Sequence, residues 1–194
     1  MAIMLDLIGS SVLVGMLVMT IMGVNINMNT ETQKSMSEFH TQTEVIQLGR
    51  IFESDFYKIG YDITLGAGQH KIEIAETSRI KMRMNIWNIA GKKDSVEYQL
   101  GTLVSNSTNP RDKTLSRWEN TGLVLINYSI TRFKLTYYNA NDQAMTMPIS
   151  GIRLDSIKSV RIYLTLESPE PIGDDANTSY AGGYYEKLIY PRNL

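Results

Sequence analysis

Residues 7–24 read LIGSSVLVGMLVMTIMGV, an uncharged run close to the ~20 apolar residues with which a helix crosses a bilayer core. Polar residues follow, and among them Val45, Leu48, Phe52, Phe56 and Ile59 recur at spacings of three, four, four and three, one stripe of an amphipathic helix. Gly60 comes directly after the stripe, where a C-terminal cap is expected. Between the two segments, Gly23, Asn25, Asn27 and Asn29 have modest to poor helix propensity and predict a hinge or an extended patch. Beyond Tyr61 the period falls to two. Ile72 and Ile74, then Ile80, Met82, Met84 and Ile86, alternate with Arg79, Lys81, Arg83, Asn85 and Trp87, as in half-buried antiparallel strands. Further strands are predicted at 95–100, 115–119, 123–128, 132–138, 157–166 and 184–190, with a surface loop rich in Pro, Gly, Asp and Ser at 168–183.

These patterns define an α+β chain in which a long N-terminal helix, apolar in its first half and amphipathic in its second, packs on a C-terminal antiparallel sheet. The expected divisions are 1–30 for the apolar helix with its Asn-rich joint, 31–62 for the amphipathic helix, and 63–194 for the β head. The 194 residues suit one globular unit on a stalk.

The apolar run differs from a cleaved secretory signal. No Lys or Arg precedes Lys34, and there is no short h-region with a small-residue cleavage site, so the segment is expected to persist in the mature protein. The same scarcity of basic residues leaves its orientation unassigned. Ser11 and Gly15 lie four apart on one helix face, and Gly9, Ser10 and Gly23 add small surfaces where a second helix can approach closely. Asp6 stands at the edge of the run. A carboxylate costs little there but ~2.5–3.5 kcal/mol at a membrane centre unless paired. It therefore suits either a helix N-cap or a charge pair with a partner.

Composition narrows the chemistry. With 19 basic and 20 acidic residues and a net charge of −1, no basic face announces nucleic acid. Cysteine is absent, which removes disulfides, thiolate metal sites and a cysteine nucleophile. His40 and His70 are the only imidazoles, too few for a histidine-rich metal centre, and no acid/base constellation suggests an enzyme.

A retained apolar helix, an amphipathic extension and an antiparallel sheet, in that order, resemble type IV pilins and the pseudopilins of type II secretion. The larger minor pilins of the PilW kind and the J-type minor pseudopilin are more similar still. The resemblance is carried by LGRIFESDFYKIGYDI at 48–63, VEYQLG at 96–101, LSR at 115–117, FKLTYYNANDQ at 133–143 and SIKSVRIYLTLESP at 156–169. It implies a structural subunit of a pilus-like or pseudopilus-like filament. Such a subunit would sit in the inner membrane of a prokaryote as a monomer, then enter a periplasmic or extracellular filament with copies of itself and other pilin-like subunits. Family prepilins carry a short basic leader ending in Gly, then a phenylalanine-like residue and a Glu four positions later; none of this is literally present. Were Met1 alone removed, Asp6 would be the fifth residue, the register in which the family Glu meets a neighbour's amine; were Met1 the mature start, Asp6 would stand one residue out of register. The alternative is a membrane-tethered β-domain that binds a glycan or surface polymer.

Some pseudopilins bind calcium in C-terminal loops, and here Asp174, Asp175 and Asn177 can offer Ca2+ oxygen ligands. The same residue types also make ordinary solvated turns. Asp62 and His70 flank the turn LGAGQH, which lacks the strand and helix context of a phosphate loop. Tyr137, Tyr138, Tyr180, Tyr184, Tyr185 and Tyr190 suit either a sheet or an interface.

Overall fold

The computed structural model describes residues 2–172 and 179–194. Asp174, Asp175 and Asn177 lie outside them.

One helix dominates. α1, Ala2–Tyr57, is 56 residues long, roughly 84 Å at ~1.5 Å per residue. It passes through the Asn-rich joint without a break, which corrects the expected hinge. Each Asn costs only about 0.7 kcal/mol relative to Ala and Gly about 1, and no proline removes a helical hydrogen bond there. The Thr30 and Thr32 hydroxyls donate back to the Ile26 and Met28 carbonyls at 3.1 and 2.7 Å, so they need no water.

Among the described residues seven strands follow: β1 Ile72–Ala75, β2 Arg79–Met84, β3 Asp94–Leu103, β4 Lys113–Glu119, β5 Gly122–Tyr138, β6 Ser159–Glu167 and β7 Gly182–Ile189. They pair antiparallel in sequence order as one meander. The segments expected at 123–128 and 132–138 are one 17-residue strand, whose pairing with β6 shifts register between Ile130 and Arg132. Ser129 to Thr131 includes β-branched Ile130 and Thr131, which continue a strand through such a bulge. β6 opens at Ser159, because Ile157 ends a 3-10 turn, Gly151–Ser156.

The predicted stripe is the seam between helix and sheet. Leu48, Phe52, Phe56 and Ile59 are fully buried and Val45 nearly so. Phe52 stacks on Phe133 at 5.6 Å and tilts against Tyr98 at 4.9 Å. Ile59 lies beyond the helix end, in the turns after Tyr57. Gly60 does not cap a helical carbonyl: it adopts φ 73° and donates its N–H to the Arg83 carbonyl at 2.8 Å, tying the helix exit to β2. Where α1 crosses β7, side chains of each element press on the backbone of the other at two glycines. A Cβ at Gly49 would stand 2.6 Å from the Tyr185 ring, and one at Gly183 would stand 2.9 Å from Val45.

Candidate functional site

The N-terminal half of α1 leaves the head with nothing packed on it. Leu7, Leu13, Leu17, Ile21 and Ile26 are each more than half exposed. Its Ser and Thr hydroxyls are satisfied within the helix. Ser10 donates to the Leu7 carbonyl at 3.0 Å, Ser11 to Ile8 at 2.9 Å and Thr20 to Met16 at 2.8 Å. From Leu7 to Val24 what remains is an apolar cylinder whose backbone and hydroxyls require no water, the condition a helix must meet inside lipid. By length and composition, α1 is the helix in the described residues able to cross a membrane.

Ser11 and Gly15 share one face of this cylinder. Gly23, eight residues beyond Gly15, is turned about 80° round from it. No atom approaches within 4 Å of a Cβ built on Gly9, Gly15 or Gly23, so each is an open notch on the helix surface.

Asp6 is exposed. A cap must precede the first helical residue, whereas α1 begins at Ala2 and carries Asp6 into its second turn. The capping alternative is therefore excluded. In the described residues the Asp6 carboxylate has no hydrogen-bond or ion-pair partner.

The other half of the helix is held by an ionic cluster that sequence reasoning missed. Asp55 Oδ2 accepts a hydrogen bond from the Tyr98 hydroxyl at 2.5 Å and one from Arg117 Nε at 2.8 Å. The same Nε lies 3.0 Å from the Tyr98 hydroxyl, and Arg117 Nη1 pairs with Glu119. Asp55 is 8 % exposed and Tyr98 wholly buried. Burial, and then the Asp55 charge, push the Tyr98 hydroxyl well above its ordinary pKa. Burial, the largest single influence, opposes the Arg117 charge, but the bonds to Asp55 and Glu119 and the charges of Tyr98 and Asp55 together outweigh it and hold the guanidinium above its usual range.

A signal for this cluster existed. Asp55 falls three residues after Phe52 and next to Phe56, within the apolar arc of the helix. Tyr98 alternates with Val96, and Arg117 follows Leu115 by two, so both occupy inward strand positions. Each residue falls inside a motif that carries the pilin resemblance.

A second clamp joins α1 to β7: Glu53 accepts from Lys187 at 2.7 Å and from the Tyr185 hydroxyl at 3.0 Å. His70 contacts Asp155 at 2.9 Å, which makes the LGAGQH turn a structural connection. Of the C-terminal tyrosines, Tyr137 is buried, whereas Tyr184 and Tyr190 are exposed. Among the described residues no group of three His, Asp or Glu side chains is placed to hold a metal ion.

No protein-family model and no curated protein matches the chain. Among solved structures, the chain is similar to the type IV-like pilin TTHA1219 from Thermus thermophilus. The match has 11% identity and a TM-score of 0.46, over 78% of this chain and 95% of that one.

Proposed function

We propose that the chain is a structural subunit of a pilus-like or pseudopilus-like filament. In this reading the apolar half of α1 anchors the monomer in the inner membrane, then leaves lipid to pack against helices of sister subunits. The observation that carries it is the continuous α1: its exposed apolar half runs without a break into a half whose stripe of Val45, Leu48, Phe52 and Phe56 is buried against the sheet. A polymer of such chains buries the first half in a common core and arrays the heads outside. The notches at Ser11 and Gly15 admit close helix neighbours. Asp6 faces outward in the second turn, where its carboxylate can meet the amine of an adjacent subunit.

The test is to purify surface filaments from the source cells and identify their protein. Recovery of the chain only as a membrane monomer, with no filament depending on it, would sink the proposal. Asp6→Ala is expected to lower filament yield while leaving the unfolding midpoint of the head unchanged. Normal filaments from that variant would remove the pairing role.

The exposed polar outer face of the head favours one second reading, a tethered β-domain that binds a glycan or surface polymer. Deleting residues 1–30 separates the two: a head that retains its whole biological activity without them supports the tethered module and contradicts the filament.

A further inference from the structure

We propose that the outer face of β5, β6 and β7, turned away from α1, is a binding surface for acidic polysaccharide. The alternation that buries Phe133, Leu135, Tyr137, Ile162 and Leu164 directs the intervening residues to the opposite face. The register places Lys134 beside Tyr163 and Arg132 beside Thr165, with Thr165 in turn beside Tyr184. The Arg132 guanidinium lies 5.8 Å from the centre of the Tyr163 ring, and that of Arg161 5.3 Å from the Tyr138 ring. Tyr184 is 72 % exposed.

Two contrasts mark this face, one with the cations of β2 and one among the tyrosines. On β2 the cations are paired: Arg79 with Glu97 at 2.7 Å, Lys81 with Glu73 at 3.2 Å, and Arg83 with Glu73. Among the described residues Arg132 and Lys134 form no ion pair, and Arg161 reaches only Glu186, at 3.6 Å. The hydroxyls divide in the same way. Those of Tyr98, Tyr128, Tyr137, Tyr180, Tyr185 and Tyr190 each donate a hydrogen bond. Those of Tyr138, Tyr163 and Tyr184 on this face, and of Tyr57 and Tyr61 away from the strands, have no partner in the described residues.

The result is a pleated floor of aromatic rings with free phenols, interleaved with Arg132 and Lys134, which have no ion pair in the described residues, and with Arg161, which is shared with Glu186. Sugar rings lay apolar C–H faces on such rings and offer hydroxyls to the phenols, and carboxylated sugars add charge-assisted bonds to the Arg and Lys donors. Nucleic acid fits less well. Three cations, one of them shared with Glu186, in a chain of net charge −1 neutralise few phosphates, and such binding weakens steeply with salt. The inference is independent of the filament proposal, since a tethered monomer presents the same face.

The test uses the full chain in detergent micelles, with polygalacturonate as probe and dextran and a single-stranded oligonucleotide as comparisons, read by biolayer interferometry. The chain is expected to retain polygalacturonate and release dextran. Arg132→Gln with Lys134→Gln is expected to weaken retention at least about tenfold, the loss of two charge-assisted bonds. Lys81→Gln, on the same sheet face but already paired, is expected to stay within about twofold. Circular dichroism must match wild type for each variant. Undiminished binding by the double variant, no retention of polygalacturonate, or tighter binding of the oligonucleotide would each overturn the proposal, the last by making the face a nucleic-acid surface.

Discussion

Arg117→Met isolates the cluster that fastens α1 to the sheet. The substitution leaves the Asp55 carboxylate 8 % exposed, with the Tyr98 hydroxyl as its remaining partner. Breaking a buried ion pair from one side costs about 3–5 kcal/mol. The Arg117 side chain is 12 % and the Asp55 side chain 11 % exposed, so the lower end, about 3 kcal/mol, applies. Glu119 also loses a partner, but at 27 % side-chain exposure it adds at most about 1 kcal/mol. The triple variant Asp55→Leu, Tyr98→Phe, Arg117→Met removes the charges and the hydroxyl together and leaves no orphaned polar group. It is expected to fall within about 1 kcal/mol of wild type, because apolar residues of similar volume replace a buried pair at little net cost. The assay is urea unfolding of the full chain in detergent, followed by tryptophan fluorescence, which comes from Trp87 and from Trp118 beside Arg117 on β4, with the denaturant slope checked for constancy. A triple variant as unstable as Arg117→Met, or a single variant within 1 kcal/mol of wild type, would refute the reasoning.

The same unfolding assay checks three further expectations. Phe52→Ala, which empties the stack between Phe133 and Tyr98, is expected to cost about 3–5 kcal/mol; a loss below 1 kcal/mol would mean that the seam collapses around the gap. Gly60→Ala is expected to lose about 1–2 kcal/mol from its positive φ and more from crowding, because the new Cβ meets Lys71 Cδ at 2.8 Å and the Asn193 carbonyl at 3.1 Å; equal stability would refute that reading of the turn. Glu53 has its pKa lowered chiefly by the hydrogen bond from Lys187, so its contribution is present above the ordinary carboxylate range and lost as pH falls through the lowered value. Lys187→Ala is expected to flatten that acid limb of the stability profile, and an unchanged limb would assign it to other carboxylates.

Much of the architecture was legible because the apolar periods are clean. Val45, Leu48, Phe52 and Phe56 mark the buried arc, and the alternation through Ile80, Met82 and Met84 identifies β2 and its inward face. The joint at Asn25 to Asn29 was misread because propensity records a small local cost, whereas helix continuity depends on whether the backbone has a better alternative. The Asp55, Tyr98 and Arg117 cluster was hidden for another reason. A pattern of apolar and polar types treats a charged residue as solvent-facing, and only pairing across 62 residues of sequence makes Asp55 a core residue. The stalk lies at the other extreme. Its composition announces an apolar environment, and its exposure in the isolated chain shows that the head does not supply one.

The unbroken course of α1 also has a mechanical meaning. Tension applied at the N-terminal half runs along the axis of the helix that carries Val45, Leu48, Phe52 and Phe56 across the sheet. The pull meets these contacts in shear, together with the Asp55 and Glu53 bonds, so they resist in concert and do not peel away one at a time. A flexible joint at Asn25 to Asn29 would let the head swivel and concentrate the load on its first contact, near Thr41 and Val45. The unbroken helix instead spreads strain over the whole seam, so a subunit tugged by its stalk yields late and abruptly.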